Sequence, residues 1–254
     1  MLTNFQKVRD FNISFGIGRS KTPSEKLFKL RWDLIEEESN ELFEALADKD
    51  YVEIIDAVSD ILYVVHGAAD SFEEDLDLHL NNENENLFEE KKFEKKFELP
   101  QNIKEMPFSH QRMNIIFRDE YEKIKEFQHE YSYHLANLKS SFDTQSLQQI
   151  IPNLVVIHNY LYMWAYLFGF NLDETFDLVH QSNMSKLAET EEVAQNTVKW
   201  YLENEKRYDS PAYRLSPVKV NDEPRWVIYN QNSGKALKSI NYHAVDFVEY
   251  FNKF

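Results

Sequence analysis

Residues 50–70, DYVEIIDAVSDILYVVHGAAD, carry three regularly spaced acids through a segment that is otherwise apolar on nearly every helical face. On a helix, Glu53, Asp56 and Asp60 fall within an arc of roughly 60°, because residues three and four apart lie on one face. A helix that is apolar on its other faces is buried on most sides. Since an unpaired buried carboxylate is costly, the segment predicts a core helix whose acids have a compensating partner.

Helical periodicity extends over most of the chain. Only five glycines and seven prolines occur among 254 residues, and apolar residues recur with a period of 3.6. The sequence therefore predicts an all-α protein. A short helix is expected in FQKVRDFNISFGIG near the N-terminus, and longer ones over 25–47, 50–70, 114–140 and 147–168.

Two helix starts can be placed from their capping residues. Thr22 is expected as the N-cap of the 25–47 helix, with Glu25 three residues on, and Asp50 with Glu53 repeats this pattern for the next helix. The turn at 48–50 is so short that the two helices must pack antiparallel.

Composition divides the chain into four segments. A first helical half (1–72) is followed by a polar insertion (73–112), a second helical half (113–187) and a C-terminal extension (188–254). The insertion is rich in Asn and Glu and low in complexity, which predicts a long, partly mobile segment.

A faint internal repeat and a hairpin complete the organisation. DILYVVHGAADSF and HNYLYMWAYLFGF can be overlaid with His158 in the place of Asp60, which indicates either a degenerate second repeat that has lost its acids or a chance match. RWVIYNQNSGKALKSINY alternates β-type residues around a Gly-containing turn. We therefore expect a helical bundle plus a small C-terminal β-hairpin.

Composition also excludes several function classes. A chain with a net charge of −16 is not expected to bind nucleic acid, which requires clustered Lys and Arg. No apolar run approaches the roughly 20 residues that span a bilayer, and the N-terminus lacks the apolar region of a signal peptide, so no membrane partner is expected. The absence of cysteine excludes disulfides and thiol catalysis and favours a cytoplasmic location.

A second group of acids lies in the preceding helix. Glu37, Glu38 and Glu41, from the run EEESNE, lie at or near the border of its apolar face. Antiparallel packing can bring them against Asp56 and Asp60. Converging carboxylates repel one another unless they take up protons or bind a cation, and Mg²⁺ or Mn²⁺ prefers carboxylate oxygens. The pattern predicts a metal site for Mg²⁺, with Mn²⁺ as an alternative.

Four sequence blocks together carry a family resemblance. They are VRDFNISFG (8–16), RWDLIEEESNEL (31–42) with DILYVVHGAA (60–69), FDLVHQSNMSKL (176–187) and GKALKSINY (234–242). In this order they resemble the all-α NTP pyrophosphohydrolases, which are MazG-like proteins related to dimeric dUTPases and phosphoribosyl-ATP pyrophosphohydrolases. One departure is that Ala57 stands where the family usually has a glutamate, so that Asp56 or Glu53 must substitute.

The resemblance implies an Mg²⁺-dependent hydrolase that cleaves a nucleoside triphosphate between its α and β phosphates, giving NMP and pyrophosphate. It implies metal ligands at Glu37, Glu38, Glu41, Asp56 and Asp60, and catalytic roles for Glu37, Glu38 and Glu53, of which Glu37 or Glu53 would orient or deprotonate water. It implies substrate contacts from Arg31, Asn183, Lys186, Lys235, Lys238 and Tyr242.

Two other functions stay open from the sequence. One is a narrow dUTPase or dCTPase, and the other is a catalytically silent binding or assembly protein disabled by the departure at Ala57. The chain is expected to be either a homodimer or a pseudo-dimeric monomer that supplies both halves of the bundle.

Overall fold

The computed structural model describes residues 2–83, 99–220 and 222–251. These residues form two compact units. The first comprises Met1–Phe5, Arg19–Phe176 and Asp246–Phe254, and the second comprises Gln6–Gly18 and Asp177–Val245.

Helices make up most of the described chain, with three short strands near the C-terminus. The helices are α1 (Asn4–Phe15), α2 (Glu25–Asp48), α3 (Tyr51–Ser71), α4 (Leu76–Glu83), α5 (Gln101–Lys104), α6 (His110–Asp119), α7 (Tyr121–Asp143), α8 (Leu147–Phe168), α9 (Leu172–Met184), α10 (Glu191–Asn204) and α11 (Phe247–Phe251). The strands are β1 (Pro211–Leu215), β2 (Trp226–Asn230) and β3 (Ala236–Leu237).

Two helical hairpins form the core of the first unit. Helix α2 packs on α3 and α7 packs on α8, while α3 also contacts α8 and α2 contacts α7. A buried hydrogen bond between the hydroxyls of Ser39 and Tyr131 (3.1 Å) joins α2 to α7. The all-α fold is confirmed, whereas the internal repeat stays a prediction. Fully buried side chains that fill this core include Ile35, Leu42, Ile54, Val58, Phe127, Leu138, Leu161 and Trp164.

The hairpin α2–α3 is set by its capping residues. The side chain of Asp50 accepts hydrogen bonds from the backbone N–H groups of Val52 and Glu53, which confirms the predicted start of α3. Lys49 adopts a left-handed conformation (φ 56°) that closes the end of α2. Helix α2 begins at Glu25 as predicted, but its N-cap was placed two residues too early, because Ser24, not Thr22, accepts the capping hydrogen bond from Leu27.

Two further expectations need correction. The helix expected over 114–140 is two helices, α6 and α7, which meet at Glu120. The polar insertion expected over 73–112 contains α4 and α5, and buried Leu76 and Leu99 anchor it on either side. Its central part, residues 84–98, lies outside the described residues.

The second unit is built around an antiparallel sheet with the strand order β1–β2–β3. Helix α10 packs on β1 and β2, and Ala188, Ala194, Tyr201, Ile228 and Leu237 form a buried apolar cluster there. The predicted hairpin is confirmed as β2 and β3, which pair at Tyr229 and Ala236. The strand β1 was not predicted.

Within the described ranges, no helix combines the length and the apolar character required to cross a bilayer.

Candidate active site

The α2–α3 hairpin brings acids from both helices into mutual range. Glu41 of α2 experiences repulsion from Glu53 of α3, and also from Glu37 and Glu44 on its own helix. Asp56 of α3 experiences repulsion from Glu53 and from Glu41 across the hairpin. The structure therefore brings Glu41 of α2 into electrostatic range of Glu53 and Asp56 of α3, whereas the predicted metal site stays a prediction. Glu44, one turn after Glu41 on α2, adds to the repulsion on Glu41.

Burial and repulsion act together on the central carboxylate. Asp56 is half-buried, and this burial, reinforced by Glu53 and Glu41, raises its pKa to about 6. Burial also raises the pKa of Glu41, with Glu37 the largest electrostatic contributor. In both residues, burial and the neighbouring acids raise the free energy of the ionised carboxylate.

Glu38 and Asp60 extend this group by one helical turn. Both are half-buried, Glu38 lies one turn before Glu41 on α2, and Asp60 lies one turn after Asp56 on α3. Antiparallel packing places these two turns beside each other. Ala57, the position where the family has a glutamate, is only 4% exposed and faces the core. Asp56 therefore supplies the carboxylate on the accessible side of this turn.

The donor set fits a hard divalent cation. Every candidate ligand is a carboxylate, and the repulsion that raises the pKa of Asp56 and Glu41 is what such a cation would relieve. Among residues 2–83, 99–220 and 222–251, no three acidic or histidine side chains already surround a common point at metal-binding distance. Glu37, Glu41 and Glu53 are exposed on this hairpin, and the metal site stays a prediction.

Arg31 occupies a different environment from the predicted one. Its side chain is 5% exposed, and its Nε and Nη2 have no hydrogen-bond partner in the described part of the chain. Burial lowers its pKa to about 10, against the opposing effect of Asp70, a fully buried acid whose Oδ1 lies 2.9 Å from Nε of Arg19. Because Asp70 already supplies the opposite charge beside this buried guanidinium, we correct the prediction that Arg31 contacts substrate and assign it to the core.

All five remaining substrate candidates lie in the second unit, and four of them form one group. Nζ of Lys186 donates to Oδ1 of Asn183 at 2.5 Å, and the ammonium of Lys238 lies 4.2 Å from the ring centre of Tyr242. The two pairs are joined because the backbone N–H of Ser239 donates to the carbonyl of Lys186 at 3.2 Å.

Further bonds fix the C-terminal segment against the end of α9. Ser182 donates to the hydroxyl of Tyr242 at 3.3 Å, and the backbone N–H of His243 donates to the hydroxyl of Ser185 at 3.0 Å. Lys235 lies apart from this group, with its ammonium 5.8 Å from the ring centre of Tyr208. The SNMSK block (182–186) and the GKALKSINY block (234–242) therefore contact each other, although 47 residues separate them in the sequence.

Residues 8–85, which include α2 and α3, match the family model described as phosphoribosyl-ATP pyrophosphohydrolase. The chain belongs to the all-α NTP pyrophosphohydrolases. Members of the matched family are nucleotide pyrophosphohydrolases, which identifies the chain as a hydrolase in this broad sense.

A viral relative extends the similarity over almost the whole chain. An uncharacterized protein of Acanthamoeba polyphaga mimivirus is 34% identical over 255 residues, covering 96% of this chain and 94% of its own length. No solved structure matches with significance.

Proposed function

We propose that the protein hydrolyses a nucleoside triphosphate between its α and β phosphates in an Mg²⁺-dependent reaction. The observation that carries this proposal is the repelling group of carboxylates on α2 and α3, with Asp56 at its centre, inside the segment that matches the family model. Water attacks the α phosphorus, the bond from the α phosphorus to the bridging oxygen breaks, and pyrophosphate leaves with that oxygen. The products are NMP and pyrophosphate.

The chain's acids divide into two roles in this proposal. Glu38, Glu41, Asp56 and Asp60, with Glu37 beside them, hold Mg²⁺, which when bound supplies positive charge on the phosphate and lowers the pKa of water. Glu53 accepts the proton from the attacking water, because it is exposed and lies in range of both Glu41 and Asp56.

Within the second unit, Lys186 and Lys238 are the candidates for binding the phosphates of a nucleotide. Lys186 is oriented by Asn183, and Lys238 is held beside Tyr242, so that two ammonium groups stand on one structural element. Each can donate charge-assisted hydrogen bonds to phosphate oxygens. Lys235, which lies over Tyr208, has the weaker claim to such a contact.

The test is pyrophosphate release from the ribo- and deoxynucleoside triphosphates and phosphoribosyl-ATP, each with Mg²⁺, with Mn²⁺ and with EDTA. Metal-dependent release with NMP as co-product is expected. Turnover in EDTA, or release of orthophosphate in place of pyrophosphate, would contradict the proposal.

A matched pair of variants separates the acid group from surface charge. Glu41→Gln removes a carboxylate of the group and should reduce turnover at least about a hundredfold, as expected when a ligand of a catalytic metal is lost. Glu36→Gln removes one exposed charge from the same helix, near Lys139, and should leave turnover unchanged.

The same substrate panel decides between the narrower alternatives. Cleavage of dUTP or dCTP alone would favour the dUTPase- or dCTPase-type enzyme. A catalytically silent relative would release no pyrophosphate, and its melting temperature would not rise with Mg²⁺, because an unoccupied site gives no stabilisation. The buried Ala57 is the observation that keeps this alternative under test.

We further propose that one chain suffices for activity. The helices α7 and α8 cover α2 and α3 and so complete the bundle without a second copy. Sedimentation at micromolar concentration should show a monomer with full specific activity, and activity that falls on dilution in parallel with dissociation of a dimer would contradict this.

A further inference from the structure

A cavity of about 540 Å³ lies in the first unit, beside the segment that joins α5 to α6. Its walls are mainly apolar and aromatic, and two cationic side chains and one phenol also reach it. The lining residues used below are Lys104, Phe108, Arg112, Tyr166 and Phe170. Its volume lies within the range of small-molecule sites, roughly 300–1,000 Å³.

Arg112 is the unusual member of this lining. Its side chain is 5% exposed, and Nη1 donates to the carbonyls of Ile103, Lys104 and Met106 at 2.9, 3.2 and 2.7 Å. These bonds fix the guanidinium in place. Its Nε is buried without a hydrogen-bond partner among residues that the structure describes.

The position of the guanidinium depends on a glycine. A Cβ at Gly169 would lie 2.4 Å from both Cζ and Nε of Arg112, and Gly169 has a φ of +88° that other residues rarely adopt. The end of α8 is therefore shaped so that the guanidinium can lie directly against its backbone.

Among the residues that the structure describes, Arg112 has no carboxylate as a counterion. The three carbonyls satisfy Nη1 but carry no net charge, and within the described ranges no carboxylate forms an ion pair with this side chain. A buried, fixed cation without a counterion is costly, and an anion in the cavity would offset that cost. Lys104, which also lines the cavity, adds a second positive charge.

The remaining walls favour an anion that carries an aromatic ring. Phe108 and Phe170, whose ring centres lie 6.0 Å apart, are buried and form part of the apolar wall. Tyr166, which is 37% exposed, is the aromatic residue accessible to a ligand. Aromatic side chains stack on nucleobases, and arginine binds phosphate with well-defined geometry. The geometry points to a binding site for a nucleoside monophosphate, separate from the acid group on α2 and α3.

The site is tested by calorimetric titration of the full chain in EDTA with AMP, GMP, CMP and UMP. The best binder is then compared with its nucleoside and with ribose 5-phosphate, which separate the ring from the phosphate. Arg112→Met should weaken nucleotide binding at least about tenfold, as for loss of a charged hydrogen bond. Arg118→Met, on the same helix but exposed and paired with Asp119, is the matched control and should bind normally.

Two further variants keep the test decisive if Arg112→Met fails to fold. Lys104→Met and Tyr166→Leu alter accessible parts of the lining and should each weaken binding, whereas Lys199→Gln, at an exposed lysine of the second unit that pairs with Glu203, should not. Equal affinity in wild type and the Lys104 and Tyr166 variants, or no binding of any of the four nucleotides, would overturn the inference.

Binding at this site is independent of hydrolysis. Arg112→Met should keep its pyrophosphate release. A wild-type chain that binds a monophosphate through Arg112 but cleaves no triphosphate would remove the proposed function and leave this site standing.

Discussion

Replacing Asp56 with asparagine should stabilise the metal-free protein at neutral pH. The rise in the pKa of Asp56 from 3.8 to about 6 corresponds to about 3 kcal/mol of cost for its charged form. Solvent screening of this half-buried group reduces the expected value to about 2 kcal/mol. Asp56→Asn removes the charge while keeping the size of the side chain, so that this cost is relieved.

The sign of the expected change in stability follows from the pH dependence of the free energy of unfolding. Because the folded protein holds the proton more tightly than the unfolded chain, the cost is absent below the unfolded pKa of 3.8 and complete above about 6. In EDTA, Asp56→Asn should therefore raise the free energy of unfolding by about 2 kcal/mol at about pH 7.5 and by almost nothing at about pH 4. Urea denaturation followed by circular dichroism measures both values.

A control variant and the response to Mg²⁺ provide two further tests of this prediction. Glu36→Gln, an exposed charge on α2, should change stability by less than about 0.5 kcal/mol at either pH. Adding Mg²⁺ should stabilise the wild type more than Asp56→Asn, which has lost a ligand. A difference between Asp56→Asn and wild type that is destabilising, or that does not vary with pH, would show that this carboxylate is not held against repulsion.

Three other predictions concern the site and the core. Glu38→Gln and Asp60→Asn should each abolish pyrophosphate release with an unchanged far-ultraviolet spectrum, and near-normal turnover in either would contradict the metal assignment. Lys186→Gln should raise KM at least about tenfold with a smaller effect on kcat, because a charged hydrogen bond to phosphate is lost; steady-state kinetics with an unchanged KM would remove Lys186 from the substrate site. Asp70→Asn should lower the free energy of unfolding by about 3–5 kcal/mol in urea titrations, because the buried Arg31 loses its opposite charge, and a loss below about 1 kcal/mol would show that this charge is compensated elsewhere.

The long apolar helices could be predicted because their periodicity and their boundaries agree. α8 was predicted with its observed bounds, Leu147–Phe168, since Gly169 ends an unbroken apolar run. The break at Glu120 was not predicted, because apolar residues keep their helical spacing on both sides of it. This spacing does not reveal where one helix ends and the next begins. The strand β1 was missed because PAYRL is too short to show alternation.

Within the site, spacing predicted which acids share a face, but tertiary packing decided their surroundings. Asp56 and Glu41 were correctly grouped, since both follow from helix geometry and a short turn. Arg31 was misassigned because a motif position does not reveal burial, and its neighbour Asp70 is 39 residues away in the sequence. The pairing of Lys186 with the C-terminal segment depends on contacts between distant residues, which no local pattern encodes.

The bundle of the first unit has an evolutionary consequence. In an assembly of identical hairpins, every substitution appears in each copy and must be tolerated in all of them. Here α2–α3 and α7–α8 are separate stretches of one chain, so each can change alone. The first hairpin could keep charges that weaken folding, such as Asp56, while the second became richer in buried aromatic side chains such as Phe127 and Trp164. Substitutions that stabilise one hairpin can thus offset the free-energy cost of the charges in the other.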